Sequence, residues 1–187
     1  MIRFLVPAFI FLVLVGFLFV GLYKDPSLVP SPLIGKPVPT FVASTLKDPN
    51  KTITEKDLQG EFILVNVWAT WCAACKQEHA ALVYLTEQLQ VPIYGLNYKD
   101  DRKSALDWLQ RYGDPYVANI FDDSGRIGID FGVYGAPETF LIDKHGIIQH
   151  KLVGIMTPDV WENQFVTKIN QIISASNAMS KQMASVQ

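Results

Sequence analysis

Residues 62–75 read Phe-Ile-Leu-Val-Asn-Val-Trp-Ala-Thr-Trp-Cys-Ala-Ala-Cys and contain both cysteines of the chain. The first half of this stretch, residues 62–68, is rich in β-branched and aromatic residues, which is typical of a buried strand. After a short turn, a helical pattern begins at Cys72. The stretch therefore predicts a strand that leads directly into a C-x-x-C motif at the N-terminus of a helix.

The spacing of the two cysteines favours thiol–disulfide exchange over a purely structural bond. A disulfide stabilises a protein mainly by closing a loop in the unfolded chain, and cysteines three positions apart close almost none. At a helix N-terminus the dipole and the unpaired N–H groups favour a thiolate, so Cys72 is the predicted attacking group. Cys75 lies one turn further along and can resolve a mixed disulfide.

Zinc binding is the main alternative for a single C-x-x-C motif. His79 shares a helix face with Cys75 and would provide a third ligand beside Cys72. A fourth ligand would have to come from His145 or His150, the two histidines that remain in the chain. We therefore expect no metal site and no bound cofactor.

The N-terminal segment predicts a membrane anchor. Residues 4–23 carry no charge, and about 20 apolar residues are enough to span the hydrocarbon of a bilayer. The alternative is a signal peptide, but the apolar run is longer than usual and no small-x-small cleavage site follows. Arg3 precedes the run, whereas Asp25 offsets Lys24, so the positive-inside rule places residues 1–3 in the cytoplasm and the rest outside.

The remainder divides into a tether, a domain and a tail. The proline-rich residues 24–38 predict a semi-extended periplasmic tether, and residues 39–176 hold the globular domain. Residues 177–187 form a polar tail, and we expect the chain from residue 175 onward to be frayed or disordered. The net charge of −2 and the lack of a basic patch argue against nucleic-acid binding.

Strand and helix patterns alternate within the domain. Strands are predicted at 63–68, 92–97, 117–121, 139–143 and 147–153, and helices at 72–90, 102–112, 127–131 and from Thr157 onward. Residues 41–53 add a short N-terminal hairpin. This order predicts an α/β fold with a mixed sheet and helices on both faces.

Three longer motifs make the chain resemble a known family. They are NVWATWC at residues 66–72, NYKDD at 97–101 and GVYGAPETFLID at 132–143. With GKPVP at residues 35–39, they resemble the membrane-anchored thioredoxins of cytochrome c maturation, the DsbE/CcmG family. The resemblance covers nearly the whole chain and implies a thioredoxin-like fold. In that fold Pro137 would be a cis-proline whose loop lies against the disulfide, with Ala136 facing the sulfurs.

The resemblance also implies an activity, partners and a location. The activity is thiol–disulfide oxidoreduction, in which the Cys72–Cys75 pair reduces the disulfide of the C-x-x-C-H haem site of apocytochrome c. The implied partners are apocytochrome c, a membrane thiol-electron carrier that re-reduces the pair, and haem-ligation proteins. The implied location is the bacterial inner membrane, with the thioredoxin-like domain in the periplasm.

Two departures from the family pattern concern the redox potential. Ala73 and Ala74 stand between the cysteines, where many members have a proline or an acidic residue. Ile155 follows Gly154, where members can carry an acid. The redox potential of this cysteine pair is therefore not inferred from the family, and neither is the electrostatic contribution of an acid at position 155.

The charges near the pair suggest one tuning residue. Asn66 stands six residues before Cys72, where common thioredoxins have an aspartate, and an amide cannot take a proton. Glu78, three residues after Cys75, is the candidate for redox tuning or proton transfer. The alternative is that Glu78 is a solvated helix residue.

Three residues are candidates for contact with a client protein. Trp71 precedes the first cysteine, and Tyr134 and Glu138 flank Pro137. An aromatic surface and a carboxylate here could select a client. The alternative is that Tyr134 is packed in the core and Glu138 is solvated.

Two other functions remain open at the level of sequence. A general periplasmic oxidant or isomerase would use the same cysteine pair, because the direction of exchange depends on reduction potential and partner. A non-catalytic module could instead bind apocytochrome or a haem-ligation partner. A peroxidase is less well supported, because the chain has two adjacent thiols and no isolated one.

Overall fold

A computed structural model of the chain describes residues 2–22 and 31–184. Helix α1 covers Ile2–Leu22. Within these described ranges, no helix is both long and apolar enough to cross a membrane. The last residue of the predicted anchor and residues 24–30 of the predicted tether lie outside the described part, as do residues 185–187 of the predicted tail. The anchor therefore stays a prediction.

A mixed five-stranded sheet forms the centre of the domain. Its strands are β3 (Ile63–Trp68), β4 (Ile93–Tyr98), β5 (Ala118–Asp122), β6 (Glu138–Ile142) and β7 (Ile148–Val153). The spatial order is β5-β4-β3-β6-β7. The β3–β4 and β4–β5 pairs are parallel, whereas β6 is antiparallel to both of its neighbours. Helices connect the parallel strands, because a parallel pair needs a long crossover connection.

The helices and the N-terminal hairpin surround this sheet. The helices are α2 (Ala73–Leu89), α3 (Arg102–Tyr112), α4 (Arg126–Asp130), α5 (Pro158–Val160) and α6 (Thr167–Ala184), with a π-helical turn, Trp161–Val166, between the last two. Strands β1 (Val42–Ser44) and β2 (Thr52–Thr54) form an antiparallel hairpin. The predicted α/β fold, with a mixed sheet and an N-terminal hairpin, is confirmed, and most predicted element bounds agree within one or two residues.

Strand β3 is buried along its whole length and separates two apolar clusters. Its side chains alternate between the two faces of the sheet, as in any strand. On one face, Leu64 and Trp68 pack with both cysteines and with apolar residues of α2, α3 and the final helical segment. On the other face, Val65 and Val67 pack with Phe131, Phe140 and the hairpin. The cysteines therefore belong to the cluster on the α2 face.

The second half of the predicted tether packs against the domain, so the domain begins before residue 39. Val38 is buried, and Leu33 packs against the second apolar cluster. The N–H of Gly35 donates to the carbonyl of Ile148 at the edge of β7. Pro37 forms an isolated bridge beside that edge, which suits a residue that donates no ladder hydrogen bond. The tether prediction is therefore wrong for residues 31–38.

The predicted frayed tail is also wrong over most of its length, because α6 continues to Ala184. The helix is already nucleated by packed residues such as Phe165 on the preceding turn. Extending an existing helix requires only one residue to be fixed for each new hydrogen bond. Residues 175–184 contain no glycine or proline to stop it, and most of them are good or neutral helix formers.

Candidate active site

The two cysteines form a disulfide at the N-terminus of α2. Their Cα atoms lie 5.3 Å apart, and Cys72 is the N-cap residue of the helix. The backbone N–H of Cys75 points at Cys72 Sγ, at a distance of 3.0 Å. In the reduced chain this donor and the helix dipole would stabilise a thiolate on Cys72. Cys72 has 6% of its surface exposed and Cys75 2%, so a client reaches Cys72 more easily.

The turn before the cysteines is held by a carboxylate from the next strand. Asp100 follows β4 and accepts hydrogen bonds from the backbone N–H and the hydroxyl of Thr70, both at 2.6 Å. It also accepts a hydrogen bond from the side-chain amide of Asn97. Because β3 and β4 are parallel, their C-terminal ends meet at one edge of the sheet. Asp100 therefore fixes the turn that presents Cys72.

Trp71 lies at the surface beside the disulfide and has 56% of its surface exposed. Its indole N–H donates to the carbonyl of Lys99, at 2.9 Å. One edge of the ring is thus anchored while much of the ring is open to solvent. This placement suits contact with a bound chain, because a fixed aromatic loses little conformational freedom on binding.

The loop before β6 reaches the cysteine cluster. The peptide bond between Ala136 and Pro137 is cis, which is the geometry that the family resemblance implied. Ala136 is half-buried and packs against the apolar cluster that contains both cysteines. The carbonyl of Pro137 accepts a hydrogen bond from the N–H of Gly154, at 3.0 Å. The structure thus brings Cys72, Cys75 and Ala136 into one cluster.

Glu138 is not available to a client in this structure, so its predicted contact role is wrong. Only 1% of its surface is exposed. Lys151 Nζ lies 3.0 Å from Glu138 Oε2, and both side chains are almost fully buried. Within the described structure Oε2 accepts no hydrogen bond of good geometry, so the lysine charge compensates it. Glu138 lies inside because β6 begins at this residue and directs it to the same face as Phe140.

Tyr134 lies on the outside of this buried ion pair. It has 65% of its surface exposed, so the alternative of a core tyrosine is wrong. Its backbone N–H donates to Glu138 Oε1 at 2.9 Å, and Lys151 Nζ lies 4.2 Å from the centre of its ring. Lys151 also donates to the carbonyl of Gly132. The ion pair therefore fixes the loop that carries both Tyr134 and the cis-proline.

Glu78 is fully buried one turn after Cys75, so the alternative of a solvated helix residue is wrong. Its Oε1 accepts a hydrogen bond from Asn66 Nδ2 at 2.8 Å, and its Oε2 accepts one from the backbone N–H of Met156 at 2.7 Å. Burial raises the pKa of Glu78 to about 7, against the two hydrogen bonds, which lower it. The carboxyl can therefore exchange a proton near neutral pH.

Glu78→Gln is expected to remove a pH dependence of stability. Between about pH 4.5 and pH 7, folded Glu78 keeps a proton that the unfolded chain has lost. The free energy of unfolding therefore falls as the pH rises through this window, by roughly 3 kcal/mol for this group. Urea unfolding of the oxidised, full-length chain at a series of pH values gives the free energy of unfolding as a function of pH. This free energy should fall less steeply with pH in Glu78→Gln than in Glu87→Gln, which changes an exposed residue of the same helix. Equal slopes would contradict the assignment.

The imidazole of His79, which the zinc alternative would use, is bound to the C-terminal end of α3. Its Nε2 lies 3.1 Å from the carbonyl of Tyr112 and 3.2 Å from that of Gly113. Burial lowers the pKa of His79, which favours a neutral ring that donates to these carbonyls. Among the residues that the structure describes, no three histidine, cysteine or acidic side chains are grouped to hold a metal ion.

Three residues of this region were missed by the sequence analysis as site residues. They are Asp100, Lys151 and Tyr116, whose hydroxyl donates to Asn66 Oδ1 beside Glu78. Asp100 could have been found because it lies two residues after the end of a strand parallel to β3, where side chains converge at one sheet edge. Lys151 could have been noticed as the lysine within the predicted strand at residues 147–153, because a buried lysine needs a partner. Tyr116 gives no such signal.

Comparisons with known proteins agree with this site. Residues 33–169 match the Redoxin family. A protein from Pseudomonas aeruginosa named thiol:disulfide interchange protein DsbE is 50% identical over 174 residues, which cover 93% of this chain and 96% of that protein. The protein of the same name from Escherichia coli is 45% identical over 166 residues, covering 86% and 89% of the two chains.

Solved structures show the same fold. A secreted thiol-disulfide isomerase from Corynebacterium glutamicum superposes with a TM-score of 0.60 at 25% identity, covering 67% of this chain and 81% of that one. A thio-disulfide isomerase from Thermus thermophilus gives a TM-score of 0.60 at 22% identity, covering 72% and 96%. With its disulfide at a helix N-terminus and its close DsbE relatives, this chain belongs to the DsbE family of thiol:disulfide interchange proteins and is a thiol–disulfide oxidoreductase.

Proposed function

We propose that this chain reduces the disulfide of the C-x-x-C-H haem site in apocytochrome c, so that haem can attach to both thiols. The observation that supports the proposal is the disulfide at the start of α2. The Cys75 N–H donates to Cys72 Sγ, and a buried, ionisable Glu78 lies one turn further along the same helix. A reductant needs a thiolate for attack and a group that handles the proton of the second thiol. The long family motifs at residues 66–72 and 132–143 support the client assignment.

The exchange proceeds in two steps, in which a mixed disulfide is first formed and then resolved. The Cys72 thiolate attacks one sulfur of the client disulfide, forms a mixed disulfide and releases the other client sulfur as a thiolate. Cys75 then loses its proton and attacks Cys72 Sγ, which releases the second client thiolate and closes the Cys72–Cys75 bond. Two electrons pass to the client, and Glu78 takes up or returns the proton of Cys75.

The client would bind as an extended segment along the cis-proline loop. Extended peptides gain affinity from main-chain pairing and specificity from side-chain contacts. Trp71 and Tyr134 are exposed aromatic residues on the two segments that carry Cys72 and Pro137. They are the side chains placed to contact residues around the client disulfide.

The pair must be re-reduced after each cycle, which requires an electron supply outside the cytoplasm. We assign this role to a membrane carrier of thiol equivalents and place the chain at the bacterial inner membrane as a single-pass protein. The support is the uncharged run at residues 4–23 with Arg3 before it, which orients residues 1–3 toward the cytoplasm and the domain toward the periplasm. Haem-ligation proteins are further candidate partners.

The test compares two oxidised substrates, a peptide with a C-x-x-C-H site and glutathione disulfide. The reduced, full-length chain should reduce the peptide faster than glutathione disulfide. Equal rates would favour a general oxidoreductase. In cells that lack the chain, a Cys72→Ser/Cys75→Ser double variant should fail to restore cytochrome c. Restoration by this variant would instead show a binding module.

Tyr134→Ala is expected to lower peptide reduction by roughly two- to tenfold, the effect of losing one well-placed aromatic contact. Reduction of glutathione disulfide should remain nearly unchanged, because a small substrate does not extend to this surface. Tyr84→Ala, which removes a similarly exposed aromatic further along α2, is the matched control and should change neither rate. A parallel fall of both rates in Tyr134→Ala would mean that the residue supports the fold or the cysteines.

A further inference from the structure

A buried chain of polar groups runs from Tyr116 to Glu78. The hydroxyl of Tyr116 donates to Asn66 Oδ1 at 2.9 Å, and Asn66 Nδ2 donates to Glu78 Oε1 at 2.8 Å. Asn66 Nδ2 also lies 3.1 Å from the hydroxyl oxygen of Thr139. Asn66 and Thr139 are fully buried and Tyr116 is 6% exposed, so water does not readily replace these hydrogen bonds. The orientation of the Asn66 amide therefore depends on its protein neighbours.

The two ends of the Asn66 amide have opposite effects on Glu78. An N–H toward the carboxyl favours its ionised form, because a carboxylate can only accept. A carbonyl oxygen in the same place favours the protonated form, because only the acid can donate to it. Rotating the amide by half a turn would thus change the preferred protonation state of Glu78 without a change of shape.

Tyr116 is the group that distinguishes the two orientations. Thr139 carries a hydroxyl, which can either accept or donate, so it tolerates both ends of the amide. Burial and the nearby charges of Glu78 and Asp114 hold the pKa of Tyr116 well above its usual value, so its hydroxyl keeps its proton. It can therefore donate to Asn66 Oδ1 throughout the neutral range. Among the described residues, Asn66 Oδ1 is the acceptor of this buried proton, and a rotated amide would leave the Tyr116 O–H without one. Nδ2 therefore faces Glu78.

We propose that Tyr116 is a positioning residue that holds the Asn66 amide with its N–H toward Glu78 and thereby sets the pH at which this carboxyl loses its proton. The inference rests on the proposed function, in which Glu78 handles the proton of Cys75. Its effect on exchange is indirect, since Tyr116 acts only through Asn66.

The other groups around Glu78 do not provide this control. The titratable groups near this polar chain are Cys75, one turn before Glu78 on α2, and Tyr116 and Asp114 from the segment before β5. The ring of His79, the next residue of α2, is bound to the carbonyls of Tyr112 and Gly113. The other neighbours are uncharged. Asn66 on β3 and the backbone of Met156 after β7 contact Glu78 directly, and Thr139 on β6 contacts Asn66. The buried pair of Glu138 and Lys151 lies on the opposite face of the sheet, with Phe140.

The test is a pH titration of the buried carboxyl by infrared spectroscopy on the oxidised, full-length chain in detergent. The carbonyl band of protonated Glu78 is identified by its loss in Glu78→Gln. Tyr116→Phe removes only the hydroxyl and so frees the Asn66 amide to rotate. The pH midpoint of the Glu78 band should then rise by about one pH unit, the scale of one hydrogen bond to a charged group. Tyr98→Phe, at another buried tyrosine, should leave the midpoint unchanged. An unchanged midpoint in Tyr116→Phe, or an equal shift in both variants, would overturn the proposal.

A second measurement needs no variant that could fail to fold. In the wild-type chain, the side-chain amide protons of Asn66 should shift in nuclear magnetic resonance spectra with the same midpoint as the Glu78 band. Amide protons that do not respond to pH would overturn the proposal. Neither readout involves a client, so a failed preference for the C-x-x-C-H peptide would count against the proposed function and leave this inference standing.

Discussion

Cys75→Ser is expected to trap the chain as a stable mixed disulfide with its client, with complete loss of turnover. Cys72 remains as a thiolate at the N-terminus of α2 and can still attack. The serine hydroxyl at position 75 cannot displace the client, because it does not ionise as a thiol does. Non-reducing gels followed by mass spectrometry should show a bond between Cys72 and a cysteine of the client or of the membrane reductant.

The reciprocal variant makes this prediction specific. Cys72→Ser leaves only Cys75, which is 2% exposed and has no helix N–H directed at it in the described structure. It should form no mixed disulfide with a folded partner. If Cys72→Ser traps such species and Cys75→Ser does not, the attacking and resolving roles are reversed.

Lys151→Met is expected to destabilise the domain by about 3–5 kcal/mol, the cost of leaving a buried charge without its partner. Glu138 would keep only the Tyr134 N–H, and the loop that carries the cis-proline would lose the contact to the Gly132 carbonyl. Thermal or urea unfolding of the oxidised, full-length chain measures the effect. Much of the loss should be recovered in Lys151→Met/Glu138→Gln, which removes both charges together.

The control for this prediction is an exposed ion pair. Lys103 and Asp107 form an i,i+4 pair on the surface of α3. Lys103→Met should leave the stability almost unchanged, because exposed ion pairs contribute little. If Lys151→Met is as mild as Lys103→Met, the buried ion pair does not hold the loop.

The sequence predicted the centre of the fold well because local patterns decide it. The apolar run at residues 63–68 matches β3 residue by residue, and α3 was predicted at its observed bounds. Cys72 at the helix N-cap follows from the same two patterns. Each of these features depends on residues that are neighbours in the chain, which is the information a sequence contains.

Glu138 shows how a shift of one residue changes a functional assignment. The sequence placed the start of β6 at Thr139, which left Glu138 in the loop and open to solvent. The strand begins at Glu138, and alternation then directs the side chain into the core. Its partner Lys151 is paired in register with Phe140, so the ion pair runs diagonally between strands. Such a contact needs the strand register, which hydrophobic patterns do not give to one residue.

The environment of Glu78 was beyond the sequence for a different reason. Helix spacing placed it on the same side as Cys75, which the structure supports. Its partners come from three other segments, namely Asn66 on β3, Met156 after β7 and, through Asn66, Tyr116 before β5. Only tertiary packing brings these residues together, and that packing makes the carboxyl buried and ionisable near neutral pH.

Because residues 31–38 pack against the edge of β7, the free segment that connects α1 to the domain is shorter than the sequence predicted. A free run over residues 24–38 could extend roughly 50 Å, whereas the nine Cα–Cα steps from Leu22 to Ser31 span at most roughly 30 Å. If α1 lies in the membrane, as proposed, this shorter connection keeps the start of the domain close to the bilayer surface. A carrier in the same membrane then meets the domain at a high effective concentration. A soluble client must reach that surface before its disulfide can be reduced.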